Sequence, residues 1–321
     1  MAILLLFMLI GFAVSKFKVV GAEASRSLAK LENAVFIPAL ILNTFKNQFT
    51  VENFSSTWKI LLFSFLTALA IIPAVLFLTK FISKDSFIRK ISAYGLCFSN
   101  FSFMGNAVVK ELYGEEFFMS YFIFTLPLWI LIYMWGAPAL LMGSDEKSCE
   151  ANPSGDKPSR KNAILGRLKT LFNPMMIALL LGMILGLTGI GPKFPSVIDK
   201  VITTCSDCMS PIAMILTGIT FAGLSFKKVL STPTVYIVSV LRLLVIPFTV
   251  GGIALLVKCF IVDIPAIYYV SFICVLSMPL GLNSIIVPAA YGKDTSVPAG
   301  MALVSHLLSV LTIPLVLTVL C

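Results

Sequence analysis

The chain is a succession of charge-free apolar runs, and these constrain its fold more than any other feature. Residues 60–79, 91–109, 117–143, 170–192, 264–292 and 295–321 contain no Asp, Glu, Lys or Arg. Residues 201–226 contain one such residue, Asp207, and residues 229–257 contain one, Arg242. At a helical rise of about 1.5 Å, some 20 residues cross the ~30 Å hydrocarbon core of a bilayer. Backbone groups in hydrocarbon must be satisfied within the segment, so the runs read as transmembrane helices. The chain is 58% hydrophobic and 12% charged, against about 25% charged in a soluble domain. A chain this apolar cannot hide its side chains in one aqueous core.

Two further helices are expected in the first 50 residues. Residues 1–15 are apolar but short for a full crossing, and they lack the basic start of a signal peptide. That shortness suggests residues upstream of Met1. Residues 24–45 begin amphipathic, with Arg26, Lys30 and Glu32, and become apolar. The expectation is an all-α integral membrane protein of ten spans.

Loop charge gives an orientation. Seventeen Lys and Arg fall in the loops after odd-numbered spans and six after even-numbered ones. By the positive-inside rule both termini lie outside the cell membrane. Residues 144–167, rich in Ser, Pro, Asp and Lys, read as a cytoplasmic linker between a first half, 1–143, and a second, 168–321. Five spans per half force the halves into opposite orientations, the arithmetic of an inverted repeat. Landmarks recur at similar spacing. Pro38 and Asn106 are 68 residues apart, and Pro211 and Asn283 are 72 apart. Pro38 and Pro211 are the expected helix kinks.

Chemistry is expected where the fourth and ninth spans carry small and polar residues at mid-run. These are Asn100, Gly105 and Asn106 in one, and Pro279, Asn283 and Ser284 in the other. Breaks there would expose helix N-termini, whose free N–H groups suit a carboxylate. Asp207 and Arg242 are costly at membrane depth. They could pair with each other, or one could carry a coupling ion while the other meets an anion. His306, the sole histidine, could relay a proton or bond to a neighbouring helix. Asn43 is a candidate for lining a cavity. The seven cysteines, Cys205-x-x-Cys208 included, read as small hydrophobes, so no metal site is expected. No metalloprotease, nucleophile-elbow, Walker or dinucleotide motif is present, and no enzyme is expected. The basic residues do not form the aromatic-interleaved stripe of a nucleic-acid surface.

Several short motifs recur in a familiar order. They are Leu9-Ile-Gly-Phe12 before a basic turn, Phe36-Ile-Pro38-Ala-Leu40, and Phe172-Asn-Pro174 with Leu181-Gly-Met-Ile-Leu-Gly186. Asp207-Cys-Met-Ser-Pro211, Thr217-Gly218 and Leu241-Arg242-Leu243 before Pro247 follow. Ser277-Met-Pro279 with Asn283, and Ser309 with Pro314, complete the series. In these the chain resembles the auxin efflux carrier family, whose bacterial members include malate- and malonate-permease-like proteins. The resemblance implies two inverted five-helix repeats, with spans four and nine broken and crossing at a central site. It also implies elevator-like exchange between a scaffold and a transport domain. The implied substrates are small carboxylates such as dicarboxylates, moved by a secondary transporter in the plasma membrane. A proton or sodium gradient is the implied drive, with no cofactor and a possible homodimer. Two departures stand out. Gly105-Asn106-Ala107 lacks the family's proline, and His306 stands where a small hydroxyl residue is expected. The alternatives are a sodium-coupled symporter of the bile-acid type and a membrane receptor or scaffold without flux.

Overall fold

In the computed structural model of the chain, the described residues are 2–21, 23–142, 174–223, 231–261 and 264–321. The expected linker, 144–167, and Phe172-Asn173 fall outside them. The described elements are helical, with no β-strand among them beyond one isolated bridge.

The helices, in chain order, begin with α1 (Ala2–Lys16), α2 (Ala24–Gln48), α3 (Val51–Thr79) and α4 (Ser86–Cys97). Then come α5 (106–113) and α6 (Glu116–Met142), separated by Gly114 at φ 80° and ψ 178°, a backbone state that glycine adopts without strain. The rest are α7 (Pro174–Leu187), α8 (Ser196–Ala222), α9 (Pro233–Phe260), α10 (Ala266–Ser277), α11 (Asn283–Ala290) and α12 (Ser296–Leu320). Six helices among the described residues are long and apolar enough to cross a membrane: α2, the Trp58–Thr79 part of α3, α6, α8, α9 and α12. They match the second, third, fifth, seventh, eighth and tenth expected spans. The described parts of the first and sixth spans, α1 and α7, are shorter apolar helices. The stretches expected as the fourth and ninth spans are each interrupted, into α4 and α5 and into α10 and α11.

Two groups of helices pack around separate seams. In one, α1 lies along α8, and α2 lies along α7 and α8. In the other, α3 packs on α4 and on the 106–131 stretch, while α9 and α10 pack on α12. α11 lies between the groups, touching α2 and α8 on one side and α6 and α12 on the other. The outward faces are apolar, with Leu62, Leu66 and Leu69 of α3, Leu256 of α9 and Leu311 of α12 all exposed. Water would make such faces sticky, whereas lipid accepts them.

Small residues set the α1–α8 seam. A Cβ added at Gly218 would collide with the Met8 carbonyl, and one at Gly11 with the Ile215 carbonyl. Backbones approach this closely only where side chains are absent. Gly218→Leu is therefore expected to push α1 off α8, at a cost of about 1–3 kcal/mol or more. A lowered melting temperature in detergent checks this. Gly223→Leu, in open space near a single carbonyl, serves as the control.

Two prolines shape helices by the same route. Pro38 and Pro247 each lack the N–H that would bond four residues back. In each helix a widened π-helical stretch lies immediately upstream, Glu32–Phe36 in α2 and Leu241–Val245 in α9. Such stretches take up the unmatched carbonyl, and they often mark functional positions. Here each carries a buried charged residue, Glu32 or Arg242. Pro211 sits inside α8, which continues through it.

Candidate functional site

The expected ninth span breaks between α10 and α11, where the residue before a proline is driven out of the α region. Met278, ahead of Pro279, is extended at φ −72° and ψ 147°. The fourth span has no proline, yet it also breaks. Phe98 is extended at φ −121° and ψ 113°, and Asn100 stands at φ −80° and ψ 46°. The two unwound stretches pair with each other. Ser99 and Leu280 form an antiparallel bridge, and the Asn100 N–H donates to the Pro279 carbonyl at 2.8 Å. Ser99 Oγ donates to the Val275 carbonyl at 2.7 Å. Gly281 permits the approach, because a Cβ there would lie 3.1 Å from the Phe98 carbonyl oxygen. Each break thus supplies the backbone partners that the other lost, which is how irregular backbone survives at membrane depth.

Arg242 closes the other side of the crossing. Its guanidinium donates to the carbonyls of Leu96 at 2.9 Å, Val275 at 3.0 Å, Met278 at 3.1 Å and Leu276 at 3.3 Å. These carbonyls belong to the C-terminal ends of α4 and α10, where helix dipoles are negative. The side chain is 1% exposed. Its donors are spent on main chain, and it makes no ion pair with Asp207, which is exposed on α8.

The positive ends of the next half-helices meet on the opposite side. A small cavity is lined by Asn100, Phe101 and Ser102 ahead of α5 and by Gly281, Leu282 and Asn283 at the start of α11. Tyr94, Trp129 and Tyr133 complete its wall. It has about 10 Å3 of room, enough for one water at most.

The polar groups at this cavity are incompletely paired. Asn283 Nδ2 donates to the hydroxyls of Tyr94 at 3.2 Å and Tyr133 at 3.5 Å, and its Oδ1 has no partner. The tyrosine hydroxyls can equally donate to Oδ1, which would turn Nδ2 inward, so this amide can offer the cavity a donor or an acceptor. Trp129 Nε1 is buried without a partner. Asn100 Nδ2 lies 2.9 Å from His306 Nε2, and His306 Nδ1 lies 2.8 Å from the Ala302 carbonyl. A carbonyl only accepts, so Nδ1 carries the proton and Nε2 accepts from the amide: the histidine is neutral in this arrangement. Asn100 Oδ1 is left over, as is Oδ1 of the half-buried Asn106. Buried polar atoms are rarely left alone, and a cluster of them points to a ligand or water. His306→Leu would strip Asn100 of its remaining side-chain partner. The expected cost is about 1–3 kcal/mol, read as a lower melting temperature in detergent, with His306→Gln retaining part of the stability.

The chain belongs to the membrane transport protein family, the auxin efflux carrier-like family, whose model matches residues 1–317. The family is one of transporters, not enzymes. No curated protein matches the chain. Membership and the apolar helices together make it a multi-pass membrane transport protein.

Of the residues singled out in the sequence, the fold brings Asn100, Pro279, Asn283, Arg242 and His306 to the crossing. Gly105 joins them through its N–H to the Asn100 carbonyl at 3.0 Å, and a Cβ there would strike the Tyr121 hydroxyl. Ser284 Oγ turns back to the Gly281 carbonyl at 2.7 Å, holding the first turn of α11. Asn43 lies apart, accepting from Asn47 Nδ2 at 3.0 Å on its own helix. Tyr94, Trp129 and Tyr133 were not singled out, since aromatics in apolar runs carry no distinguishing mark. Lys46, counted among the loop charges, is instead 1% exposed and ion-paired with Asp199, tying the end of α2 to the start of α8.

Proposed function

We propose that this transporter carries small organic anions, dicarboxylates among them, by alternating access at the crossing of the two broken spans. The architecture is ten spans in two inverted five-helix halves, with both termini outside the plasma membrane. The observation that carries the reading is the polarity of the crossing. Arg242 takes up the negative ends of α4 and α10, while the N-terminal turns leading into α5 and α11 line one cavity, each with a side-chain amide whose oxygen has no partner. Converging N-terminal turns favour negative charge by fixed dipoles and free N–H groups, without committing a full positive charge that would hold the anion too tightly to release. With room for a single water, the cavity must widen to admit a dicarboxylate. In this reading the group of α1, α2, α7 and α8 is the scaffold, and the group containing α4, α5, α10 and α11 moves against it with the anion.

The test is uptake by the purified chain in proteoliposomes from a panel of radiolabelled malate, malonate and monocarboxylates, under separately imposed pH and sodium gradients. Accumulation of at least one carboxylate driven by the pH gradient is expected. Accumulation that requires sodium would instead favour a symporter of the bile-acid type, and no carboxylate flux under either gradient would overturn the reading.

A further inference from the structure

Glu32 takes no part in the crossing, yet it is a fully buried carboxylate, and neither of its oxygens has a hydrogen-bond partner among the described residues. The adjacent Asn33 also has both amide atoms buried without partners. The π-helical stretch that holds both residues, Glu32–Phe36, packs on α7 and α8 of its own helix group and on α11, which lies between the groups. The stretch that carries Glu32 therefore lies where the two groups meet, beside the half-helix that begins at Asn283.

Among the described residues, the helices packed against it offer no countercharge. α7 and α11 contain no charged residue. α8 brings Asp199, Lys200 and Asp207 and the thiols of Cys205 and Cys208. Asp199 is paired with Lys46 near the far end of α2, and Lys200 and Asp207 are exposed. On α2 itself, Lys30 is exposed and the Arg26 guanidinium lies against Gly292. An isolated ionised carboxylate costs several kcal/mol to bury, so such a group binds a proton or a cation. No group of three or more His, Cys, Asp or Glu able to hold a metal occurs among the described residues, and a lone carboxylate with one amide is a poor sodium shell.

We infer that Glu32 is a proton-binding site, sealed at the interface between the two helix groups, that releases its proton to water when α11 moves away from α2. Binding on one side of the membrane and release on the other make it the coupling site. That second step rests on the transport reading above, whereas the bound proton does not. The proton neutralises the carboxylate only while the interface is closed, so closure without a proton is disfavoured. Movement of the anion-bearing half-helix is thereby tied to proton movement.

Infrared difference spectroscopy on the full chain in lipid nanodiscs, wild type against Glu32→Gln, tests the proton directly. Glutamine keeps the size of the side chain and mimics its neutral form. A protonated-carboxyl carbonyl band at neutral pH, present in wild type and missing in Glu32→Gln, is expected. Carboxylate bands in its place, or loss of the carboxyl band on adding sodium chloride at fixed ionic strength, overturn the proposal. The coupling step is read in proteoliposomes with radiolabelled malate. Glu32→Gln should retain malate counterflow and lose at least tenfold of the accumulation driven by a pH gradient. Undiminished accumulation in that variant overturns coupling at Glu32. If wild type shows no counterflow of malate or of any other carboxylate in the panel, the transport reading and the coupling step fail together. The infrared result still decides whether the proton is there.

Discussion

Arg242→Ala is expected to leave little folded protein in detergent, because one side chain satisfies carbonyls at the ends of both broken helices. Each carbonyl left bare in an apolar interior adds a penalty of about 1–3 kcal/mol. The nearest element offers no replacement donor, since the neighbouring Leu241, Leu243 and Leu244 are apolar. Arg242→Lys should recover only part of the loss, because an ammonium is a single point of charge and cannot reach four carbonyls spread over α4, α10 and the Met278 turn. Thermal unfolding of the purified variants, followed by size-exclusion chromatography, checks the order wild type, Lys, Ala. Equal melting temperatures for wild type and Arg242→Ala would mean that the crossing holds without its clamp.

Asn283→Leu is expected to leave the fold nearly intact and to remove transport. Leucine has the branching and the number of non-hydrogen side-chain atoms of asparagine, and the hydroxyls of Tyr94 and Tyr133 that lose their partner line a cavity able to hold a water. Flux should fall because the amide at the start of α11 is the side chain best placed to meet a carboxylate. A hydrogen bond to a charged group contributes about 1.5–3 kcal/mol, so its loss weakens anion binding by roughly 10- to 100-fold. The two variants separate the roles of the crossing. Arg242 acts on stability and through it on everything else, whereas Asn283 acts on the anion. A melting temperature within a few degrees of wild type, with flux near background, is the expected pair of readings for Asn283→Leu.

Much of this arrangement is legible in the residues. The long helices follow from charge-free runs, and the break in the ninth span follows from Pro279, whose ring forces Met278 out of the helix. The break in the fourth span is harder to see. Asn100, Gly105 and Asn106 mark it without a proline, and the chain unwinds at the first of them, over Phe98 to Asn100, where it pairs with the Pro279 stretch. No local preference encodes that pairing. Arg242 was visible as a charge in an apolar run, but its partners are backbone carbonyls, which have no signature in sequence, so an anion or Asp207 was the natural guess. Tyr94 and Tyr133 lie 189 and 150 residues from Asn283 and meet it only in the folded chain. Glu32 misled in another way. Beside Arg26 and Lys30 it read as the wet start of an amphipathic helix, whereas the helix turns it inward to where α7, α8 and α11 converge.

The most direct test of transport at the crossing is counterflow of radiolabelled malate in proteoliposomes loaded with unlabelled malate, wild type beside Asn283→Leu at matched reconstitution. Transient accumulation of label by wild type, reduced at least tenfold by the substitution in folded protein, is the predicted result. Equal counterflow in both would place the anion elsewhere in the protein, and would contradict the assignment of the crossing as its site.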